Sequence, residues 1–170
     1  KQKMKIKKII ILSFLALLTI CSFGQSKFGY INSSELLSIM PEKKTAEGEL
    51  QTLIKSLETQ LIGMEGELQA KFTDYQNKES SYDELTKKDK ETEIQDLQQR
   101  MQSFQQNSQN AIEKKQQELM GPIMAKANKA IEDVAKEGKF TYIFDSGMGS
   151  ILYADENENV MSLVKKKLGL

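Results

Sequence analysis

The chain has 170 residues, 24 basic and 24 acidic side chains, one cysteine and no histidine. Its length bounds it at one ordinary domain. The absence of histidine excludes imidazole acid–base catalysis, histidine metal ligation and a histidine pH switch.

Met4 reads as the initiator, and residues 1–24 read as a secretory signal peptide. Lys5, Lys7 and Lys8 form a positive start, Ile9 to Ile20 an apolar core, and Ser22-Phe23-Gly24 a small-residue cleavage site before Gln25. The apolar run is too short for a comfortable membrane span. A lipoprotein signal ending at Cys21 is the alternative, but Ile20 stands where such a signal wants a small residue. Cleavage after Gly24 removes the only cysteine, and with it disulfides and thiolate chemistry. It also removes Lys1, Lys3, Lys5, Lys7 and Lys8, so 19 basic residues face 24 acidic ones, a net charge of minus 5. That sign argues against nucleic acid as a partner. The signal implies export out of the cytoplasm, with only transient proximity to a membrane.

Phe28, Tyr30 and Ile31 predict a short strand. Asn32 with Glu35 predicts a capped short helix through Met40, and Pro41 suits the first turn of the next one. From Glu42 the apolar positions recur every three or four residues: Ala46, Leu50, Leu53, Ile54, Leu57, Leu61, Met64, Leu68, Phe72 and Tyr75. A second series follows: Ile94, Leu97, Met101, Phe104, Ala111, Ile112, Leu119, Ile123, Ala127, Ala130, Ile131 and Val134. This spacing places one narrow apolar seam on each of two helices. Lys, Glu, Gln, Ser and Asn fill the rest, so two slender arms of a hairpin are expected over residues 42–137. The tip is expected near 80–89, in the later half of the window between Asn77 and Asp89 if the arms are of equal length. Gly63 and Gly66 read either as a bending point or as exposed glycines tolerated in a long helix, the second being favoured by the unbroken seam.

Gly121-Pro122 predicts a kink or joint where the returning arm meets a body, and Gly138 predicts its end. Phe140 to Asp145 and Ser150 to Ala154 read as strands joined by Ser146-Gly147-Met148-Gly149, and Asn159 can cap a last helix through Leu168. The fold class is therefore α+β: a small β-containing oligomerisation body from residues 25–41 and 138–170, with a long antiparallel helical hairpin inserted. A body that small has little core and exposed sheet edges, which self-association would cover.

No catalytic constellation emerges. Gly147-Met148-Gly149 lacks the glycine pattern of a phosphate loop. Asp155, Glu156 and Glu158 lack calcium-loop spacing. The paired acids Glu65/Glu67 and Glu91/Glu93 have no apolar pocket to perturb them. No enzyme activity, metal or cofactor is expected. Phe72, Tyr75 and Phe104 read equally well as cement for the hairpin or, with an exposed Tyr82, as a diffuse contact surface for unfolded apolar segments.

The order Phe28-Gly29-Tyr30-Ile31-Asn32, Pro41, a Gln/Lys/Glu-rich hairpin, Gly121-Pro122-Ile123, Phe140 to Asp145 and Ile151 to Asp155 resembles the Skp/OmpH family of periplasmic chaperones across essentially the whole mature chain. The resemblance implies a homotrimer with a β-rich body and three helical tentacles around a cavity. There unfolded outer-membrane proteins are held without ATP. It assigns Phe28, Tyr30, Ile31, Phe140, Tyr142, Phe144, Ile151 and Tyr153 to the oligomerisation body and residues 42–137 to the tentacle, where the contact-surface reading of Phe72, Tyr75, Tyr82 and Phe104 makes them the candidate substrate contacts. Familiar members are basic, whereas this mature chain is acidic with Arg100 as its sole arginine, which weakens the case for lipopolysaccharide binding. The alternative function is a structural coiled-coil spacer or adaptor of the cell envelope.

Overall fold

The computed structural model describes residues 26–170, so the expected signal peptide and Cys21 lie outside the described residues. The described residues begin with β1 (Phe28–Ile31), then α1 (Ser33–Ile39). The Asn32 side chain starts α1 by accepting the Glu35 N–H at 3.0 Å. Met40 alone separates α1 from α2 (Pro41–Lys78), with φ −72° and ψ 125°. This extended conformation is the one proline favours in the residue before it. Met40 is also 2% exposed, so the bend is anchored in the core.

α2 has 38 residues and α3 (Glu84–Glu137) has 54, so α2 alone reaches about 57 Å. The two pack against each other as an antiparallel hairpin along the expected seams. Leu50, Leu53, Leu57, Leu61, Met64 and Leu68 are half-buried on α2. They face a strip on α3 that runs through Ile94, Leu97, Met101, Phe104, Ile112 and Leu119. Ala46, Leu57 and Leu68 recur at eleven residues, as do Leu53, Met64 and Tyr75. Such a repeat, about 3.67 residues per turn, is close to the natural period of a straight helix. Gly63 and Gly66 lie in unbroken helix, with open space where a Cβ would stand.

The strip departs from its sequence pattern in three places. Lys71 takes the seam position at the outer end of α2 and leaves Phe72 beside it 45% exposed. Ser108 and Lys115 occupy seam positions on α3, and Ala111 is exposed. The reversal falls at Glu79–Ser81, a single 3-10 turn, earlier than equal arm lengths suggest. The physical reason is a local cap: the Asp83 side chain accepts the Thr86 N–H at 2.7 Å and starts α3 at Glu84. Pro122 does not interrupt α3. It sits on the exposed face, as does Glu118 one turn earlier, so water can reach the carbonyl that lacks a proline N–H.

Both chain ends build the body. β1 pairs in parallel with β2 (Tyr142–Asp145), in the register Phe28↔Tyr142 to Ile31↔Asp145. Parallel strands need a long crossover, and here the whole hairpin is that crossover. Along the other edge of β1, the Val160 N–H donates to the Tyr30 carbonyl at 3.0 Å. α4 (Met161–Leu168) then closes the fold, ending at Gly169 with φ +76°. One core joins Ile31, Leu36 and Met40 with Ile123, Ala127, Ala130 and Val134 of α3 and Val160, Met161 and Val164.

The expected strand over Ser150 to Ala154 does not form, nor does its hairpin with β2. Gly149, at φ +70°, turns the chain away, and the segment finds no strand partner within one copy. Leu152 is 99% and Tyr153 86% exposed.

Candidate functional site

The arms have few places where polar groups cross between them, and these fall near the two ends. At the body end Lys126 pairs with Glu42, and Lys115 with Glu49 at 3.0 Å. At the tip Lys71 meets Glu93 at 2.9 Å and the Tyr75 hydroxyl donates to Glu91 at 2.6 Å. The Glu91 carboxylate, helped by desolvation, pushes the Tyr75 phenol up to about 12. Lys71 and then Lys90 hold the Glu93 carboxyl below its usual value.

Tyr82 is half-buried, not exposed. Its hydroxyl donates to Asp74 at 3.2 Å, and its ring lies 6.4 Å from that of Tyr75. Asp74 also pairs with Lys78 at 2.5 Å, which lowers the Asp74 carboxyl. The tip is therefore a closed clasp in which both tyrosines have polar partners. The seam pattern locates the rings but says nothing of their hydroxyls; Glu91, sixteen positions from Tyr75, is visible only once the turn is placed.

Between the two tied regions the arms leave an open groove of about 760 Å3. Met64 of α2 and Phe104 of α3 line it, with Glu67, Asp96 and Arg100 along its sides. Thus Phe72 and Phe104 offer apolar surface on the arms, one directly and one at the groove.

In the body, Phe28, Tyr142 and Phe144 form an aromatic patch on one face of the sheet. Phe28 stacks on Tyr142 at 6.1 Å, Tyr142 on Phe144 at 6.0 Å, and Phe28 lies 6.3 Å from Phe144. All three are exposed, and a second cleft joins Phe28, Tyr30 and Phe144 to Ile151, Leu152 and Tyr153. Ile31 is core, and Phe140 lies under the Lys27 ammonium, 4.0 Å from its ring centroid. Ile151 is half-buried.

The other singled-out polar residues have local duties. Asp145 accepts from the Ser33 hydroxyl at 2.5 Å, the Ser33 N–H at 3.1 Å and the Gly147 N–H at 2.8 Å. Asp155 accepts from the Asn157 N–H at 2.9 Å within its own turn. No helix among the described residues is long and apolar enough to cross a membrane.

A family model described as outer membrane protein (OmpH-like) matches residues 27–168. The chain belongs to the OmpH-like family. Its members are non-catalytic periplasmic chaperones, and the chain is not an enzyme. Among solved structures, an OmpH-like protein from Caulobacter crescentus CB15 superposes with a TM-score of 0.75 at 16% sequence identity, covering 85% of each chain. At that identity the likeness speaks for the OmpH-like fold alone: a small sheet at the chain ends and two long packed helices. No curated protein matches.

Proposed function

We propose that this protein is an ATP-independent holdase of the periplasm that binds unfolded outer-membrane proteins between helical arms of a homotrimer. OmpH-like membership supports the general chaperone role. The observation that carries the reading is the division of exposed apolar surface. The body concentrates it in Phe28, Tyr142, Phe144, Leu152 and Tyr153, whereas the arms spread it thinly over Ile62, Phe72 and Leu85.

A contiguous aromatic patch of this kind suits a permanent protein contact. Identical copies joined there bury the loose 150–154 segment and leave the arms projecting. An unfolded outer-membrane strand alternates apolar and polar residues, so many weak contacts along a slender arm can cover it. Release follows when membrane insertion buries those same residues elsewhere.

The experiment combines mass determination in solution with an aggregation assay on a urea-denatured outer-membrane β-barrel protein, without nucleotide. A trimer that keeps the client soluble supports the proposal. A well-folded oligomer with no protective effect favours the envelope spacer instead.

A further inference from the structure

We infer that the mid-arm groove reads alternate side chains of an extended client segment, taking a cation, an anion and an aromatic ring in that order from tip to body. The inference rests on the holdase reading and gives the arm a specific contact within it.

Asp96, Arg100 and Phe104 stand four residues apart on α3 and line one side of the groove. Four helical residues rise about 6 Å. Two residues of an extended strand advance about 6.8 Å and return to the same face. Three successive rungs of the helix thus match three same-face side chains of a strand laid along it.

The rungs differ in chemistry. At the outermost, Asp96 is joined across the groove by Glu67, and no ion pair engages either carboxylate among the described residues. The neighbouring Glu93 is already matched by Lys71 and Lys90, at 2.9 Å and 3.1 Å. At the middle rung, Arg100 is exposed and has no carboxylate within ion-pair distance among the described residues, and it is the chain's only arginine. Its planar fork suits a client carboxylate. At the inner rung the Phe104 ring offers an apolar surface for an aromatic side chain, and the polarizable Met64 thioether of the opposite arm lines the same groove nearer the level of Arg100. The occupant that fits all three is an unfolded β-strand segment with a basic, an acidic and an aromatic residue at every second position. Transmembrane strands, which alternate along their length, supply such segments where they leave the apolar band.

Two labelled peptides of identical composition test this. One carries Lys-Ser-Glu-Ser-Phe and the other Glu-Ser-Lys-Ser-Phe, each flanked by serines, with binding to the full oligomer read by fluorescence anisotropy. The native protein is expected to prefer the first by about two- to thirtyfold, the size of two exposed charge matches. The charge-swapped variant Asp96→Lys/Arg100→Asp, altered only at exposed positions, is expected to invert the preference. Equal affinity for both peptides, absence of binding to either, or a preference that survives the swap overturns the groove assignment. The denatured β-barrel client is run in parallel. If the native protein holds that client yet cannot distinguish the peptides, only the groove assignment falls; if it holds neither, the holdase reading falls as well.

Discussion

The Ser33 hydroxyl donates to the Asp145 carboxylate at 2.5 Å, joining residues 112 positions apart in the chain. Asp145 closes the C-terminal end of β2 onto the first turn of α1, whose Ser33 N–H it also accepts. The Ser33 hydroxyl, aided by the Ser33 and Gly147 N–H groups and opposed by desolvation, holds the Asp145 carboxyl below its ordinary value. A carboxyl lowered in the folded state stabilises the fold above its unfolded pKa and loses that contribution as pH falls through the folded value. Replacing Asp145 with Asn is therefore expected to lower stability near neutrality and to flatten its decline in acid. Urea melts between neutral pH and pH of about 3 check this; an unchanged acid limb would count against the linkage.

Gly138 ends α3 next to the Phe140 ring. A Cβ there would stand 2.4 Å and 2.7 Å from two ring carbons, and the ring is also boxed in by Gly29 and Lys27. The glycine is needed for space, since its φ of −82° suits any residue; the positive φ, 53°, belongs to Lys139. Gly138→Ala is expected to cost about 1–3 kcal/mol through overpacking, and Gly138→Ala/Phe140→Leu to recover part of it. Thermal unfolding of the two variants decides, and an alanine that melts at the native temperature would remove the packing argument.

The outer half of the hairpin has its own small core, with Leu97 fully buried. Leu97→Ala is expected to destabilise the protein by about 2–5 kcal/mol. Tyr75→Phe keeps the ring and removes only the hydroxyl bridge to Glu91. It is expected to leave the melting temperature nearly unchanged while speeding amide exchange around the tip. Exchange mapped by mass spectrometry separates the two effects; a large loss of global stability in Tyr75→Phe would contradict it.

Replacing Phe72, Tyr75 and Tyr82 together with serine is expected to weaken suppression of client aggregation more than oligomer assembly. Leu152→Ser/Tyr153→Ser is expected to do the reverse, impairing assembly while each chain keeps its helicity. Sedimentation equilibrium and light scattering on both variants give the comparison. Complete and equal loss of both properties in either variant would sink the division between arm and body.

The hairpin was legible in the sequence because its seams follow from helical geometry alone, from Ala46 to Leu68 and from Ile94 to Val134. The Asn32 and Asp83 caps are equally local, although only Asn32 stood out beside an apolar run. The turn at Glu79–Ser81 has neither glycine nor proline, so its position depended on the Asp83 cap and on the Tyr75 hydroxyl finding Glu91 and the Tyr82 hydroxyl finding Asp74. Ser150 to Ala154 has strand-forming residues, yet strand formation needs a neighbour, and within one copy the adjacent edge of β1 is shared with Val160. At the candidate groove the apolar residues were visible as seam positions. The lack of an ion-pair partner for Arg100 was not, because it depends on how the arms pair: Lys71 of α2 and Lys90 of α3 both engage Glu93, and among the described residues no carboxylate comes within ion-pair distance of Arg100.

The parallel pairing of β1 with β2 also orders events in time. A chain delivered from its N-terminus presents Phe28–Ile31 first, but the strand's partner arrives only after both arms have passed. The arms, held together by contacts between neighbouring turns and across one tight reversal, can zip without the body, whereas the body requires the longest loop in the molecule to be closed. During that interval β1 is an unpaired edge, and the protein is briefly in the condition of the clients proposed for it.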